Sequence, residues 1–351
     1  MRGDIPYPIS VAILYYVGVG QDMEDTLEGV KAINDVLRKM GHMVRIREVK
    51  RNNWRNVTHI AGDVIFNLVE DEDYDLYMKV ARRLEMAGRV QVGFDLEGLK
   101  YITSKAAVKK QMLKSGIPTP KFRTVKYKNK MRPVRGMEFP MIVKPSGQHA
   151  AIGIDQDAVV IDQQELDDRV KYLFKYFRGE VVVEEFIEGI EVQVSVLGNG
   201  RKLTVLPLAQ IEFGGEFTNN WDVYTYQAKW DKQSWEYWAA RVVCPAAVGK
   251  YLTRDIELMA LKLYKAFGCR DVARFDMRID DKGKIYVVDV NLCPSLNELD
   301  DQDATVISAR TAGWSYAQMI ERIVAAAYKR SYGKMPDRIR ERHFMLMAPE
   351  I

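Results

Sequence analysis

Short apolar runs alternate with longer amphipathic stretches over the first hundred residues of the chain. The runs have the length and the branched side chains of strands, and the stretches between them repeat apolar positions at helical spacing. Strands are predicted at Ile9–Tyr16, Met43–Val49, Asp63–Val69 and Val90–Phe94, and helices at about Met23–Met40 and Leu76–Ala87. Because strands that alternate with helices form parallel sheets, this part predicts an α/β module.

The remainder of the chain changes to hairpin patterns. Glycine and proline in GIPTP end a predicted helix at Ser104–Ser115, and strands follow at FPMIVKP and VVVEEFIEG. Hairpins are predicted to turn at Gly198–Gly200 and Asp280–Gly283, and further helices at Leu166–Phe177, Ile256–Phe267 and Tyr316–Ala327. These patterns predict three modules at about 1–103, 104–180 and 181–330, followed by a basic tail at 331–351.

The composition is that of a folded protein. Of 351 residues, 47% are hydrophobic and 28% charged, and the net charge is only +4, without the clustered basic stripe of a nucleic-acid surface. The apolar run Ser10–Tyr16 is too short to span a membrane and no cleavage site follows it, so a cytoplasmic location is expected. The three cysteines, Cys244, Cys269 and Cys293, lack metal-binding spacing and are expected to be reduced.

The stretch Val272–Asn297 carries the clearest chemical signal. Asp289 and Asn291 are two positions apart on one predicted strand and therefore share a face, while Asp276 lies at the end of the partner strand. Carboxylate and amide oxygens are ligands that suit Mg²⁺. Arg274, on the same side as Asp276, can stabilise charge that develops on a transferred phosphoryl group or an oxyanion.

Two lysines and an acidic segment are candidates for nucleotide binding. Lys144 ends an apolar strand before the loop PSGQHAAIG, whose N–H groups can cover phosphate oxygens. Lys105 opens a helix and either reaches a phosphate or is simply exposed. Glu184 and Glu191 flank an apolar hinge that can present backbone groups to adenine and a carboxylate to ribose, although the run also reads as an acidic strand end.

An aromatic segment, NNWDVYTYQAKWDKQSWEYW, contains Lys229 and has no clear periodicity. A loop of this length without regular structure is either functional or disordered, and its aromatic content argues against disorder. We interpret it as the cover of an active site; the alternative is that it packs a groove between modules.

The ordered motifs VVVEEFIEGIE, YTYQAKW, CPA, ARFDMRI and VVDVNLCPS resemble the D-alanine–D-alanine ligase branch of the ATP-grasp superfamily, over about Ile102–Ala327. The resemblance implies a three-domain ATP-grasp architecture of α/β and α+β class. An N-terminal parallel-sheet domain would precede two α+β halves that hold ATP. It also implies an enzyme that phosphorylates a carboxylate, admits an amine to the acyl phosphate and releases phosphate.

By position, the resemblance implies ATP and Mg²⁺ as cofactors, with two ions expected and Mn²⁺ as an alternative. Lys105 and Lys144 would contact phosphates, Glu184 and Ile187 would line the adenine hinge, and Glu191 would bind ribose. The implied γ-phosphate ligand is Lys229, the implied metal ligands are Asp276, Asp289 and Asn291, and Arg274 would stabilise the acyl-phosphate and tetrahedral states.

The sequence also departs from the family pattern. Asp289 replaces the usual magnesium Glu, the small loop reads GQHAAIG instead of a Gly/Ser-rich turn, and LVEDEDYD, with the acidic cluster Glu70–Asp73, replaces HGxxGEDG. The N-terminal signature is absent, which leaves Glu24 as the candidate anchor for the first amino group. Asp300 and Asp301 stand where a Ser-Leu pair would hold the second carboxylate, and two acids would repel it.

We therefore expect a ligase for small carboxylate and amine substrates, amino-acid or peptide-like, other than two D-alanines. The acids at 300–301 or 70–73 would face a cationic or polyhydroxylated acceptor; the alternative is that they are solvated loop residues. The competing functions are a genuine D-alanine–D-alanine ligase of cell-wall synthesis, a carboxylase-type or kinase-like ATP-grasp enzyme and a non-catalytic ATP-binding regulatory module.

No nucleic-acid or membrane partner is expected, and homodimers are common in the family. The basic tail, with Arg338, Arg340 and Arg342, is expected to be a solvated or subunit-packing segment.

Overall fold

A computed structural model gives the architecture of the chain and describes residues 8–18, 21–71, 74–126, 136–177 and 179–333. The strands are β1 (Ser10–Tyr15), β2 (Met43–Glu48), β3 (Val64–Leu68), β4 (Phe122–Lys126), β5 (Met141–Pro145), β6 (Val159–Val160), β7 (Glu180–Glu185), β8 (Ile190–Asn199), β9 (Lys202–Val205), β10 (Ala209–Phe213), β11 (Ala240–Val243), β12 (Asp271–Ile279) and β13 (Ile285–Asn291). The helices are α1 (Gln21–Lys39), α2 (Asp75–Met86), α3 (Leu99–Ile102), α4 (Lys105–Lys114), α5 (Gln163–Tyr176), α6 (Tyr226–Trp230), α7 (Trp235–Ala239), α8 (Lys250–Ala266), α9 (Ala304–Thr311) and α10 (Tyr316–Tyr332).

The first sheet is parallel, with the strand order β2-β1-β3, as the alternation of strands and helices predicted. Its central strand β1 is buried along most of its length because both faces are covered, and Val11 lies between Val44 and Val64. Strands of parallel sheets are apolar on both faces for this reason. The helices predicted on either side of β2 and β3 are confirmed as α1 and α2.

The strand predicted at Val90–Phe94 is wrong. Among the described residues this segment forms only one parallel bridge, between Gln91 and Ile65. Gly93 follows with φ at 114°, and an added Cβ there would lie 3.1 Å from the Leu292 carbonyl oxygen. The backbone therefore turns away from the sheet to pack closely against the loop after β13.

The second sheet is antiparallel, with the order β4-β7-β5-β6, and α5 covers one face. Val143 and Val183 of the sheet pack against Leu166, Val170 and Leu173 of the helix. Strand β7 belongs to this sheet, so the chain changes sheets after its last residue and before β8 begins. The pattern of apolar residues in β7 does not indicate which of the two sheets the strand joins. The predicted module boundaries therefore stay a prediction.

The third sheet has the order β11-β10-β8-β12-β13, and β9 pairs with β8. Both predicted hairpins, β8–β9 and β12–β13, are confirmed. One face is apolar, with Val192 and Val194 of β8 and Phe275 and Met277 of β12 in the core that α8 covers. The alternation of side chains then places the polar residues of β8, β12 and β13 on the opposite face.

The aromatic segment is more regular than expected. The prediction that it lacks regular structure is wrong at the two short helices α6 and α7. Each helix is stabilised by an N-cap side chain. Thr225 accepts a hydrogen bond from the Ala228 N–H at 3.0 Å, and Ser234 accepts one from the Glu236 N–H at 3.2 Å. The three cysteines are free thiols, as predicted. Among the described residues, no helix has the length and apolar composition needed to cross a bilayer.

Gly189 lies where the chain passes between the second and third sheets, and it provides a test of this architecture. Its φ is 129°, and an added Cβ would lie 2.0 Å from the Ile279 carbonyl oxygen. We expect Gly189→Ala to lower the free energy of unfolding by about 3 kcal/mol or more in urea denaturation, because both backbone strain and a backbone clash oppose it. Gly283→Ala, with φ at 76° and no atom within 4 Å, should cost only about 1 kcal/mol. Equal costs would contradict the close approach.

Candidate active site

The polar face of the third sheet forms the floor of a cleft. Strand β12 lies between β8 and β13, so each of its polar residues has a neighbour on both sides. Opposite residues share a face. Arg274 is paired with Ser195 and Asn291, Asp276 with Gln193 and Asp289, and Arg278 with Glu191 and Tyr286.

Arg274 and Asp276 form a bidentate ion pair on this floor. The Arg274 Nε donates to Asp276 Oδ1 at 2.8 Å and Nη2 donates to Oδ2 at 3.0 Å, while the Asn291 amide donates to Oδ2 at 3.1 Å. Burial alone would lower the pKa of Arg274, but the paired carboxylate raises it instead. The guanidinium is therefore fixed and charged, with its orientation set by two residues of its own hairpin.

The donor set at the hairpin fits magnesium. Asp276, Asp289 and Asn291 bring two carboxylates and one amide together. Among the described residues, no group of three or more His, Cys, Asp or Glu could hold a metal ion, so the amide is a necessary member of this set. Burial would raise the pKa of Asp289, but the nearby positive charges, Lys105 first, together with the hydrogen bond from the Val290 N–H lower that pKa, so the group is ionised. Such a set leaves room for phosphate oxygens and waters, as Mg²⁺ usually requires.

Glu184 lies beneath the cleft between two lysines. Its carboxylate is 2.5 Å from the Lys144 ammonium and in direct contact with that of Lys109, and only 1% of its side chain is exposed. Burial would raise the pKa of Glu184, but the two lysines lower it. Lys109 was not predicted from the sequence, although it lies one helical turn after Lys105 on α4. The carboxylate thus anchors Lys144 at the edge of the cleft.

Lys105 follows the N-cap of α4 and bonds to the small loop. Ser104 accepts a hydrogen bond from the Ala107 N–H at 3.1 Å, and the Lys105 ammonium donates to the Gln148 carbonyl. Burial, with the charge of Lys144, lowers the pKa of Lys105. In the same loop, Ala150 has φ at 53° although it is not glycine, which indicates a strained turn.

The hinge between β7 and β8 also lines the cleft. The Ile187 N–H has no hydrogen-bond partner among the described residues and so can receive an acceptor atom. Glu191, predicted to bind ribose, lies 3.2 Å from the guanidinium of Arg278, which also donates to the Gly189 carbonyl at 3.1 Å. Burial raises the pKa of Glu191 despite this pair.

One cleft of about 970 Å³ collects all the predicted nucleotide, metal and catalytic residues. Its lining includes Lys105, Lys144, Glu184, Ile187, Glu191, Lys229, Arg274, Asp276, Asp289 and Asn291. They come from α4, β5, the hinge, the aromatic segment and the two long strands β12 and β13. The structure therefore brings together residues that lie up to 186 positions apart in sequence, from Lys105 to Asn291.

A second cleft of about 1130 Å³ adjoins the first. The two clefts share Lys229, Arg274, Asn291 and His149. His149 was not predicted; its Nε2 is buried without a hydrogen-bond partner among the described residues, and burial followed by the charge of Lys105 lowers its pKa to about 3. A neutral imidazole therefore lies at the junction.

The acidic residues of the second cleft differ from those expected. Glu24 is exposed and does not line it, whereas Asp25 does, because successive residues of a helix point about 100° apart. Asp25 accepts a hydrogen bond from the Asn297 amide at 2.7 Å, and burial raises its pKa. Of the cluster Glu70–Asp73, the first two residues line the cleft and the last two lie outside the described residues.

The aromatic segment lies against the small loop. The Trp230 indole donates to the Ala150 carbonyl at 2.8 Å, and the Tyr226 N–H donates to the Ile154 carbonyl at 2.9 Å. Lys229 projects into both clefts, and burial and the nearby Arg274 lower its pKa. The segment therefore joins the second and third sheets directly above the junction of the clefts.

Asp300 and Asp301 point in different directions. Asp301 is exposed, lies 2.9 Å from the Arg241 guanidinium and accepts the Tyr237 hydroxyl at 2.9 Å. Asp300 is half-buried, and burial followed by the charge of Asp303 raises its pKa to about 7. Helix α10 extends to Tyr332 and so includes the first two residues of the predicted basic tail. Arg338, Arg340 and Arg342 of that tail lie outside the described residues.

The buried Glu184 should be a strong determinant of stability. We expect Glu184→Gln to lower the free energy of unfolding by about 3 kcal/mol or more, because two buried lysines then lack their counter-ion. Glu185→Gln is the matched control: its partner Lys121 is 62% exposed, so the cost should stay below about 1 kcal/mol. Urea denaturation of both variants measures the difference, and a similar cost at the two positions would contradict the role given to Glu184.

Known proteins resemble this chain in sequence. A family model described as D-ala D-ala ligase C-terminus matches residues 112–325. The uncharacterized protein y4sG of Sinorhizobium fredii is 30% identical over 277 residues, which cover 78% of this chain and 77% of that protein. The D-alanine–D-alanine ligase of Syntrophotalea carbinolica is 28% identical over 310 residues, covering 88% and 93% of the two chains.

Solved structures show the same fold. A D-alanine–D-alanine ligase from Bacillus anthracis, complexed with ATP, has a TM-score of 0.73 at 21% identity and covers 93% of this chain and 99% of its own. The VanG D-Ala:D-Ser ligase from Enterococcus faecalis has a TM-score of 0.74 at 23% identity, covering 91% and 100%. The resemblance seen in the motifs is thus confirmed: the chain belongs to the D-alanine–D-alanine ligase family, as an ATP-grasp ligase that forms C–N bonds.

Proposed function

We propose that this protein uses ATP and Mg²⁺ to join an amino acid or a small peptide-like carboxylate to an amine, and that its natural substrates are not two D-alanines. The observation that carries this proposal is the pair of adjoining clefts. The first collects the phosphate, metal and hinge residues, and the second shares Lys229, Arg274 and Asn291 with it. A nucleotide in one cleft therefore meets a substrate in the other at these side chains.

In this proposal the first cleft binds the nucleotide. The Ile187 N–H receives adenine, Glu191 receives the ribose hydroxyls, and Lys105 and Lys144 contact the phosphates. The carboxylate of Glu184 is already paired with two lysines, so Glu184 contributes by holding Lys144 in place and does not contact the nucleotide itself. Asp276, Asp289 and Asn291 of the β12–β13 hairpin would hold Mg²⁺, which would neutralise phosphate charge when bound.

The chemical steps occur at the junction of the clefts. A carboxylate oxygen of the first substrate attacks the γ-phosphorus and ADP leaves, giving an acyl phosphate. The amine nitrogen then attacks the carbonyl carbon, the C–N bond forms, and phosphate leaves. Lys229 and Arg274 line both clefts, so they stabilise the phosphoryl and tetrahedral charges. The aromatic segment excludes water through its contact with the small loop.

The charges near the junction support substrates other than two D-alanines. Asp300 is a half-buried carboxyl that interacts electrostatically with Lys229 and Asp25. A second amino acid would bring its own carboxylate toward this group, and like charges at short range repel. The VanG neighbour, named as a D-Ala:D-Ser ligase, also shows that proteins of this fold differ in their amine substrate.

A screen for ADP release tests the proposal. We expect purified protein with ATP and Mg²⁺ to form ADP only when a carboxylate and an amine are both added, from a panel of amino acids and small amines. D-alanine alone should give less than about a hundredth of the best rate, a difference of about 3 kcal/mol in transition-state free energy. D-alanyl-D-alanine formed at the best rate of the panel would contradict the substrate assignment, and ADP release that ignores the amine would contradict ligation.

Removal of one metal ligand gives a second test. Asp289→Asn loses a carboxylate of the hairpin, so the Mg²⁺ concentration for half-maximal ADP release should rise at least tenfold, about 1.4 kcal/mol. Asp281→Asn, an exposed acid in the turn of the same hairpin, should leave the requirement unchanged. A metal titration of the three proteins measures this effect, and an unchanged requirement in Asp289→Asn would remove that residue from the metal site.

A further inference from the structure

Arg278 is a buried arginine beside the hinge, and the chemical steps do not use it. Only 4% of the residue is exposed, although it lines the first cleft. It lies on β12 directly opposite Glu191 of β8, and neighbours of this kind on antiparallel strands point to the same face of the sheet. A buried guanidinium is costly unless its charge and its N–H groups are paired, so its partners indicate its role.

Two carbonyl groups and one aromatic ring hold the guanidinium of Arg278 in place. Nη1 donates to the Asp222 carbonyl at 2.8 Å, and Nη2 donates to the Gly189 carbonyl at 3.1 Å. The guanidinium carbon lies 4.7 Å from the centre of the Phe186 ring, a distance at which a cation and an aromatic ring attract each other. The contacts come from the hinge and from the aromatic segment, so both segments fix the position of Arg278.

The remaining partner of Arg278 is the carboxylate of Glu191, whose Oε2 lies 3.2 Å from Nη1. The Glu191 side chain is 13% exposed and that of Arg278 only 5%, so the carboxylate is the more accessible member of the pair. Burial raises the pKa of Glu191, and the charge of Arg278 opposes that rise. Without the arginine, the carboxylate would therefore lose both its orientation and a charge that favours its ionised form.

We propose that Arg278 is a positioning residue that orients the Glu191 carboxylate toward the ribose hydroxyls and so makes the site select a ribonucleotide over a 2′-deoxyribonucleotide. The inference rests on the proposed function, in which Glu191 receives the ribose, and goes beyond it by assigning the selectivity to the ion pair. Arg278 does not contact the nucleotide itself, because it is almost fully buried and already donates to three protein acceptors.

A simpler role for Arg278 is to tie the hinge to the aromatic segment through the two carbonyl groups. The two roles differ in one measurable respect. A structural tie affects the binding of every nucleotide by the same factor, whereas an oriented Glu191 favours only a nucleotide that carries both ribose hydroxyls. ADP and 2′-deoxy-ADP separate the two roles because they differ in a single oxygen atom.

The experiment is calorimetric titration of the full chain with each of these two nucleotides in the presence of Mg²⁺. We expect the wild type to bind ADP about tenfold more tightly than 2′-deoxy-ADP, because the missing hydroxyl removes a hydrogen bond to a charged acceptor. In Arg278→Met the ratio should fall to about threefold or less, as it should in Glu191→Gln, where the acceptor is uncharged. The matched control is Arg241→Met, which removes an arginine that pairs with the exposed Asp301 and should leave the ratio unchanged.

A second variant covers the case in which Arg278→Met does not fold. Arg278→Gln can still donate to one of the two carbonyl groups but brings no positive charge to Glu191, so it should lose the ratio in the same way. Thermal unfolding of each variant establishes that it is folded.

Two results would overturn the inference. The first is equal binding of the two nucleotides by the wild type. The second is a ratio that persists in the Arg278 variants while both nucleotides bind more weakly by the same factor, which would leave Arg278 only the role of a structural tie. The proposed function is judged separately in the same titration. If ADP binds with Mg²⁺ and the preference is missing, only the inference fails; if neither nucleotide binds to the wild type, the proposed function fails.

Discussion

The bidentate ion pair between Arg274 and Asp276 is the contact on which the site depends. It fixes a guanidinium on the floor of the cleft, and the amide of Asn291 holds the same carboxylate from the next strand. Both residues of the pair are less than a tenth exposed, so each is stabilised by the other. Lys105, Lys144 and Lys229 line the same cleft as this pair.

A second buried network supports the opposite wall. Glu184 joins Lys109 of α4 to Lys144 of β5 and thereby ties the helix to the second sheet. Lys105 lies one turn earlier on the same helix and bonds to the small loop. The phosphate-facing side chains thus depend on ion pairs that are hidden from solvent, which explains why a positive wall can remain stable before any phosphate arrives.

The parts of the site that follow from local geometry were predictable. The spacing of Asp289 and Asn291 on one strand gives a shared face. The register set by the turn at residues 280–283 would place Asp276 opposite Val288, and a bulge between Asp276 and Met277 brings Asp276 opposite Asp289 instead. Contacts between distant segments were not predictable. No pattern in the sequence indicates that Lys109 forms an ion pair with Glu184. Asp25 lines the second cleft and Glu24 does not, because of the way α1 is rotated in its packing. Asp301 differs from Asp300 because it pairs with Arg241, which lies sixty residues earlier in the sequence.

In the proposed function, a carboxylate is phosphorylated where the two clefts meet. The most direct measurement labels the carboxylate oxygens of a turned-over substrate with oxygen-18 and follows the released phosphate by mass spectrometry. Phosphorylation of the carboxylate transfers one labelled oxygen to each phosphate, because the amine later displaces the acyl phosphate at carbon. Phosphate without the label, with the displaced labelled oxygen recovered in water instead, would contradict the account.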